Sequence, residues 1–211
     1  MSSSAHPHAD EVQRIRVDLA AAYRLIHRLG LDDSIYTHIS ARLPGDGHRF
    51  LINPYGMRFE EVTPEDFDAV LDLNLRGCFF AAQAVAKAMV RDGVRGSVIN
   101  VSSQMGQVAG PDRSVYCASK WAMEGWTRAM ALDLAPHGIR ANTLCPTFIE
   151  TPLTKPFFER PGFRDWVLSN IKLGRVGQVQ DLMGAVVFLA SDASALMTGT
   201  SLTVDGGWTA D

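Results

Sequence analysis

The chain contains 211 residues, of which 46% are hydrophobic and 20% are charged, a composition typical of a globular protein that buries a sizeable core. A net charge of -3 gives no sign of nucleic-acid binding. No apolar run approaches the ~18 residues that span a membrane, and the first residues lack the pattern of a signal peptide. The three cysteines are widely spaced, which indicates reduced thiols in a cytoplasmic protein.

The first part of the chain has the pattern of a tail, a helix and a hairpin. Residues 1–10 are small and polar, and we expect them to be disordered. From Val12 to Leu29 apolar residues recur every three or four positions and Gly30 follows them, which predicts an amphipathic helix with a left-handed stop. Strand-like runs at 36–42 and 48–53 flank a turn of sequence Pro-Gly-Asp-Gly and predict a hairpin.

Three short segments of this first part stand in a recognisable order. They are Arg28-Leu29-Gly30-Leu31, Thr37-His38-Ile39-Ser40-Ala41-Arg42 and Ile52-Asn53-Pro54-Tyr55-Gly56. Together they resemble the amino-terminal part of the class II aldolase/adducin family, whose enzymes polarise a carbonyl with zinc held by several histidines. A zinc-dependent lyase is therefore one alternative function. His137 is the only histidine after Val62, so the rest of the sequence cannot supply the several histidines that hold zinc in these enzymes. We therefore expect no metal site.

The pattern changes near Thr63, where a long helix is predicted. Thr63 fits an N-cap, Pro64 the first helical position and Asp66 the reciprocal cap, and Asp92-Gly93 ends the helix. The predicted buried stripe is Phe67, Leu71, Asn74, Cys78, Ala82, Val85 and Met89. Asn74 is polar on this apolar stripe, and a buried asparagine is most often a satisfied structural residue.

Chemistry is concentrated just after the next predicted strand. Residues 96–101 lead into Ser102-Ser103, and a helical pattern then carries Tyr116 and Lys120 one turn apart on one face, with Cβ atoms ~5–6 Å from each other. A free tyrosine has a pKa of about 10, but an ammonium at ~4 Å stabilises a phenolate by ~4 kcal/mol at an effective dielectric near 20. Tyr116 could then serve as an acid/base for a carbonyl–alcohol pair while Ser103 holds the oxygen. The two serines could equally be loop or cap hydroxyls.

The rest of the chain alternates helix and strand, which is an α/β pattern with parallel strands. The predicted elements are a helix that starts near Ser114, carries Leu134 and stops at Pro136 and Gly138, a strand at 139–145 that closes at Pro146, a short helix at 182–189 and a strand from Ser201.

The strand, the Ser-Ser pair and the Tyr-x-x-x-Lys spacing of Gly96–Lys120 resemble the catalytic segment of the short-chain dehydrogenase/reductase family. The similarity runs from Phe67 to Thr209. It implies a partial Rossmann-like parallel sheet with flanking helices, here preceded by an α+β helix–hairpin segment. It also implies an enzyme that moves hydride between NAD or NADP and a secondary alcohol or ketone. The implied catalytic residues are Asn74, Ser103, Tyr116 and Lys120.

The same resemblance implies a site for the nicotinamide end of the cofactor. Its residues are Tyr116, Lys120, Pro146, Thr147, Ile149 and Thr151. Lys120 would also hold the ribose, and Thr147 stands where the family usually has a glycine. Residues 152–170 would then form a mobile lid over a small-molecule substrate, with Phe157, Phe158 and Trp166 as covering side chains.

A dinucleotide fold usually begins with a glycine-rich turn that receives the pyrophosphate. Neither Gly-x-x-x-Gly-x-Gly nor Gly-x-Gly-x-x-Gly occurs in this sequence. We therefore predict a tail at 1–10, an aldolase/adducin-like fragment at 11–63 and the catalytic half of a dehydrogenase at 64–211, joined near Thr63.

Two functions follow from this organisation. One is an oxidoreductase acting on sugars, sugar acids or 3-oxoacyl groups. The other is an inactive fusion or truncation product that serves at most as an association partner. Members of the dehydrogenase family commonly pair through two long helices, so we expect a homo-oligomer.

Overall fold

The structure, a computed structural model, describes residues 62–210, all of which belong to one compact unit, 54–211. The predicted tail, amphipathic helix and hairpin lie outside the described residues, and so do the segments that resemble an aldolase. Helices and strands are numbered here from the first described element.

Helix α1 (Pro64–Leu71) begins with the predicted capping box. The Thr63 hydroxyl accepts the N–H of Asp66 at 3.2 Å, and the Asp66 carboxylate accepts the N–H of Thr63 at 3.1 Å. The buried residue of this helix is Val70, at 2% exposure. Phe67, predicted on the buried stripe, is 45% exposed, so that part of the prediction is wrong.

A π-helical segment, Asp72–Gly77, separates α1 from α2 (Cys78–Asp92). The predicted long helix is therefore interrupted. Ala82 of α2 is buried, as predicted. Ala86 is buried, whereas Val85, predicted to be buried, is 39% exposed. Gly93 ends α2, as predicted, and its φ of 65° is left-handed.

Within residues 62–210, three parallel strands form a sheet in the order β1-β2-β3. They are β1 (Gly96–Val101), β2 (Ile139–Pro146) and β3 (Ser201–Val204). Thr143 of the central strand lies opposite Ser201. Nearly all of β2 is buried, as is typical of a parallel strand covered on both faces. The sheet confirms the predicted α/β class with a parallel arrangement.

Helices connect and flank these strands. A 3₁₀ turn (Gln104–Gly106) follows β1, and α3 (Ser114–Leu134) leads towards β2 with the predicted bounds. After β2 come α4 (Lys155–Phe158), α5 (Phe163–Asn170) and α6 (Val179–Ala190). Within residues 62–210, no helix combines the length and the apolar character that crossing a bilayer requires.

Apolar residues pack into two clusters. The first joins α2 and α3 to the sheet, through Ala86, Val98, Ala131, Leu134, Ile139 and Ala141. The second, which we call the lid cluster, contains Met105, Cys117, Phe158, Val167, Ile171, Val176 and Trp208. Tyr116, Phe148, Phe163 and Trp166 pack against the lid cluster. Residues 152–170 are therefore anchored to α3 and to Trp208 by buried apolar contacts.

Candidate active site

Polar residues gather at the carboxyl ends of the strands, and the sequence singled out two of them, Ser103 and Thr147. Ser103 lies just beyond β1, Thr147 just beyond β2 and Asp205 just beyond β3. Because the strands are parallel, these ends meet at one edge, where open α/β sheets bind their ligands. Asp205 is buried and accepts the N–H groups of Gly207 and Thr209, so its role is to cap the last turn of the chain.

Tyr116 and Lys120 lie one turn apart on α3, as their spacing predicts. Lys120 is 2% exposed, and its Nζ lies 5.7 Å from the centroid of the Tyr116 ring. The ammonium donates a hydrogen bond of 3.1 Å to the carbonyl of Val101, the last residue of β1. A buried ammonium therefore lies near the ring of a half-buried tyrosine, and the acid/base role of this pair stays a prediction.

Ser103 is buried, and its hydroxyl is held from two sides. Its Oγ accepts the N–H of Met105 at 3.1 Å and donates to Oε1 of Gln104 at 2.8 Å. The 3₁₀ turn that Ser103 caps packs directly on α3, since a Cβ added at Gly106 would lie 3.2 Å from the carbonyl oxygen of Lys120. The structure therefore brings Ser103 onto the helix of the Tyr–Lys pair.

Asn74 is 3% exposed and lies within the π-helical segment. Its Nδ2 donates to Oγ of Ser119 at 3.2 Å, and Ser119 in turn donates to the carbonyl of Tyr116 at 2.7 Å. These contacts fix Asn74 against the turn of α3 that joins Tyr116 to Lys120. Isolated π-helical turns are frequent at functional sites. Ser119, which sequence reasoning missed, is what attaches Asn74 to the helix.

Pro146 is the last residue of β2, and the N–H of Thr147 extends the sheet by donating to the carbonyl of Val204 at 3.1 Å. The Oγ1 of Thr147 is buried and has no hydrogen-bond partner among the described residues. A buried hydroxyl left unpaired costs about 1–3 kcal/mol. Thr147 is therefore suited to a polar group of a bound molecule.

The next predicted cofactor residues, Ile149 and Thr151, are tied together by Thr154. The Thr154 hydroxyl donates to the carbonyl of Ile149 at 2.6 Å and accepts the N–H of Thr151 at 2.9 Å. Ile149 also forms an isolated parallel bridge with Gly177. Sequence reasoning missed Thr154, because its partners are defined by a loop and not by a helical or strand period.

A buried carboxylate, Glu124, lies one helical turn beyond Lys120 and was also missed. It accepts hydrogen bonds from the hydroxyls of Thr143, at 2.8 Å, and Ser201, and from the thiol of Cys145 at 3.3 Å. Burial raises the pKa of the Cys145 thiol to about 12, so the thiol keeps the proton that it donates. Glu124 thereby connects α3 to β2 and β3. A charged residue in register with Tyr116 and Lys120 was the available signal.

An aromatic wall borders the site, and Phe148, two residues beyond β2, is its centre. Ring centroids lie 5.6 Å from Phe148 for Phe163, 5.9 Å for Trp166 and 5.4 Å for Trp208. The Cζ of Arg113 lies 5.1 Å from the centroid of Phe148. Sequence reasoning missed Arg113 and Phe148.

The three predicted covering side chains behave differently. Phe158 is 9% exposed and belongs to the lid cluster, and Trp166 packs against that cluster. Phe157 instead lies under Arg160, whose Cζ is 5.1 Å from its ring centroid. Movement of the lid stays a prediction.

The side chains at this edge fit the nicotinamide half of NAD or NADP. The buried ammonium of Lys120 can donate to ribose hydroxyls, and the unpaired Oγ1 of Thr147 can serve a polar ring substituent. A glycine-rich turn for the pyrophosphate is missing from the sequence. Within residues 62–210 no group of three or more His, Cys, Asp or Glu side chains is placed to hold a metal ion.

Comparison with known proteins identifies the class to which this site belongs. Residues 49–209 match a short-chain dehydrogenase family model described as enoyl-(acyl carrier protein) reductase. The chain therefore belongs to the short-chain dehydrogenase/reductase family, as Gly96–Lys120 predicted.

Individual relatives share about two fifths of the matched residues. Homo sapiens L-xylulose reductase is 40% identical over 150 residues, which are 71% of this chain and 62% of that protein. Mus musculus (3R)-3-hydroxyacyl-CoA dehydrogenase is 42% identical over 146 residues, 69% of this chain and 56% of that one. A gluconate 5-dehydrogenase structure from Burkholderia cenocepacia J2315, in complex with NADP and tartrate, is 39% identical with a TM-score of 0.70, covering 75% of this chain and 64% of that one. The chain thus spans about three fifths of the length of the curated relatives it matches.

Proposed function

We propose that the chain is an oxidoreductase that interconverts a secondary alcohol and a ketone with NAD or NADP. The observation that carries the proposal is the Lys120 ammonium, 2% exposed and 5.7 Å from the centroid of the Tyr116 ring, on a helix against which the Ser103 turn packs. A lysine is rarely buried without a task for its charge. Here it is buried at the carboxyl end of β1, the edge at which open α/β sheets generally bind their ligands.

Tyr116 is the proposed acid/base. In the reducing direction its Oη donates a proton to the carbonyl oxygen of the substrate, and in the oxidising direction it takes the proton from the alcohol. Lys120 stabilises the negative charge that then remains on the phenol oxygen.

Ser103 holds the same substrate oxygen. Its hydroxyl hydrogen now points to Gln104, at 2.8 Å, and turns to the substrate on binding. The N–H of Met105 meanwhile keeps Oγ in place, because Ser103 accepts that hydrogen bond with a lone pair. Asn74, fixed to α3 through Ser119, serves the proton relay on the lysine side of the site.

A bound NAD or NADP supplies or accepts the hydride. The residues proposed to contact it are Tyr116, Lys120, Pro146, Thr147, Ile149 and Thr151. The N–H of Thr151 becomes available to a nicotinamide amide once the Thr154 hydroxyl releases it.

The proposed substrates are sugars, sugar acids or 3-oxoacyl compounds. Relatives named for L-xylulose and for gluconate support the first two classes, and the relative named for a 3-hydroxyacyl-CoA supports the third. We place the protein in the cytoplasm because its cysteines are unpaired thiols, and we propose that residues 11–63 are related to the class II aldolase/adducin family on sequence resemblance alone.

A second candidate function is an association partner without activity. It is favoured by the missing glycine-rich turn and by exposed apolar side chains on the two long helices, such as Phe80 at 53% and Trp121 at 54%. In either case we propose a homo-oligomer that pairs through α2 and α3.

The test is a titration with NADH and NADPH, followed by nicotinamide fluorescence, together with assays on xylulose, 5-ketogluconate and acetoacetyl-CoA. We expect saturable binding and turnover of at least one substrate. The Tyr116→Phe variant should lose about 10²–10⁴-fold in kcat while it melts like the wild type.

The matched control is Trp121→Phe, an exposed aromatic residue on the same helix, which should turn over at the wild-type rate. Undiminished turnover by Tyr116→Phe would refute the assigned acid/base. A wild-type chain with no saturable response at millimolar nucleotide would favour the association partner instead.

A further inference from the structure

Gln104 is the buried partner of the Ser103 hydroxyl. It is 2% exposed, and its Oε1 accepts the hydrogen of Ser103 Oγ at 2.8 Å. Gln104 begins the 3₁₀ turn that packs on α3. Its backbone carbonyl accepts the N–H groups of Gln107 and Val108 at 2.9 and 3.1 Å. The turn thus holds Gln104 in place through its main chain, with its amide oxygen on Ser103.

The hydrogen bonds of Ser103 leave one place on its oxygen. A serine hydroxyl has one hydrogen to donate and two lone pairs that accept. The hydrogen is donated to Gln104, and one lone pair accepts the N–H of Met105 at 3.1 Å. Among the described residues, what remains for a substrate is therefore an acceptor, the second lone pair of Oγ.

An alcohol and a ketone meet this arrangement differently. A secondary alcohol carries its own O–H and can donate it to the second lone pair, so the hydrogen bond from Ser103 to Gln104 stays in place. A ketone has only lone pairs, and it gains the Ser103 hydrogen only when that hydrogen turns away from Gln104. The amide oxygen of Gln104 is then buried without a donor, which costs free energy because water does not replace the lost partner.

We propose that Gln104 is a positioning residue that biases the site towards a secondary alcohol and against the corresponding ketone. The inference rests on the proposed function, because it takes the substrate oxygen to lie at Ser103. In the alcohol complex the hydrogen bonds run from the alcohol to Ser103 and from Ser103 to Gln104, whereas the ketone breaks the second of these bonds. Gln104 acts through the Ser103 hydroxyl and need not touch the substrate.

The test measures affinities in two complexes that cannot react, the ketone with NADP⁺ and the alcohol with NADPH. The matched pairs are xylulose with xylitol, 5-ketogluconate with gluconate, and acetoacetyl-CoA with 3-hydroxybutyryl-CoA, and the pair that the wild type turns over is used. Isothermal titration calorimetry at saturating nucleotide gives the Kd of each member. Because the two complexes hold different forms of the nucleotide, the quantity compared between variants is the ratio of the ketone Kd to the alcohol Kd.

Gln104→Met keeps the length of the side chain and removes the acceptor oxygen. We expect the ratio to fall about tenfold, because binding of the ketone no longer leaves a buried acceptor unpaired. Gln104→Asn draws the acceptor away by one methylene group and should lower the ratio in the same direction. A merely structural role of Gln104 would weaken both ligands alike and leave the ratio unchanged.

Two controls make the result specific. Gln107→Met removes a glutamine of the same segment whose Nε2 donates to Oγ1 of Thr203 at 2.9 Å, and it should leave the ratio within twofold of the wild type. In a Ser103→Ala background, Gln104→Met should also change the ratio less than twofold, because no hydroxyl remains for which amide and ketone compete.

The inference is overturned if Gln104→Met leaves the ratio within twofold of the wild type, if Gln107→Met lowers it as much, or if the fall persists in the Ser103→Ala background. Each of these outcomes leaves the oxidoreductase standing, because the wild type still turns over. A wild-type chain that turns over none of the three pairs refutes the proposed function and this inference with it.

Discussion

Gly106 decides how closely the turn that follows Ser103 approaches α3. A Cβ at this position would lie 3.0 Å from Oγ of Ser102, 3.1 Å from Cγ of Glu124 and 3.2 Å from the carbonyl oxygen of Lys120. The last contact is with backbone, which cannot move aside as the end of a flexible side chain can. The absence of a side chain here therefore sets the distance between Ser103 and the Tyr–Lys helix.

We expect Gly106→Ala to lower the free energy of unfolding by about 1–3 kcal/mol, the usual result of overpacking. Gly106→Ala should also lower kcat in the proposed oxidoreductase reaction, because the Ser103 hydroxyl moves away from the substrate oxygen. Urea unfolding and steady-state kinetics measure the two effects.

The control is Gly125→Ala on α3, where an added Cβ meets nothing within 4 Å. That change should raise the free energy of unfolding by about 0.5–1 kcal/mol, because alanine is the better helix former. The two substitutions should thus change the free energy of unfolding in opposite directions. A Gly106→Ala protein as stable as the Gly125→Ala protein would show that the turn is not packed as described.

At the scale of elements, Glu124 joins α3 to the sheet. Its carboxylate takes hydrogen bonds from Thr143 and Cys145 of β2 and from Ser201 of β3. All three contacts are buried or half-buried, so water does not readily replace them. The helix that carries Tyr116 is therefore fixed relative to the strand whose end carries Thr147.

Removing this carboxylate should be strongly destabilising. Glu124→Ala removes the acceptor of three buried or half-buried donors, and we expect a loss of about 3 kcal/mol in the free energy of unfolding. Glu124→Gln keeps one acceptor oxygen and should lose less. Glu159→Ala, which removes an exposed carboxylate, is the control and should stay within about 0.5 kcal/mol of the wild type. Equal urea midpoints for the two alanine variants would contradict the role given to Glu124.

The ends of helices were predictable from the sequence where they depend on residues close together in the chain. The Thr63 capping box, the left-handed Gly93 and the ends of α3 each depend on residues within a few positions of each other. The π-helical segment was not predictable, because the apolar period alone does not show where a turn takes an extra residue.

The residues of the candidate site also differ in whether neighbouring positions in the sequence reveal them. Tyr116 and Lys120 were predictable because one helix sets their spacing. Glu124 was not, because its partners Thr143 and Ser201 are 19 and 77 positions away and only the sheet register brings them to it. Arg113 and Phe148 meet only through the fold, so no pattern in the sequence reveals their contact.

At the scale of the whole molecule, the two long helices carry apolar surface that the described residues do not cover. The exposed apolar side chains on α2 and α3 are Phe79, Phe80, Val85, Val90, Trp121 and Leu132. Phe79 of α2 contacts Trp126 of α3 at 5.6 Å between ring centroids, so the two helices present neighbouring surfaces. Apolar side chains of this size are worth about 25 cal/mol per Å² when a partner removes them from water.

We therefore expect the chain, 23.1 kDa as a monomer, to run as a larger species in light scattering coupled to gel filtration. A double variant, Phe80→Glu with Trp121→Glu, places two like charges on this surface and should reduce the measured mass to that of the monomer. The matched control is Leu173→Glu with Leu196→Glu, which adds the same charge at side chains 72% and 99% exposed outside α2 and α3 and should leave the mass unchanged. A wild-type monomer at micromolar concentration, or dissociation by both double variants alike, would show that α2 and α3 do not form the interface.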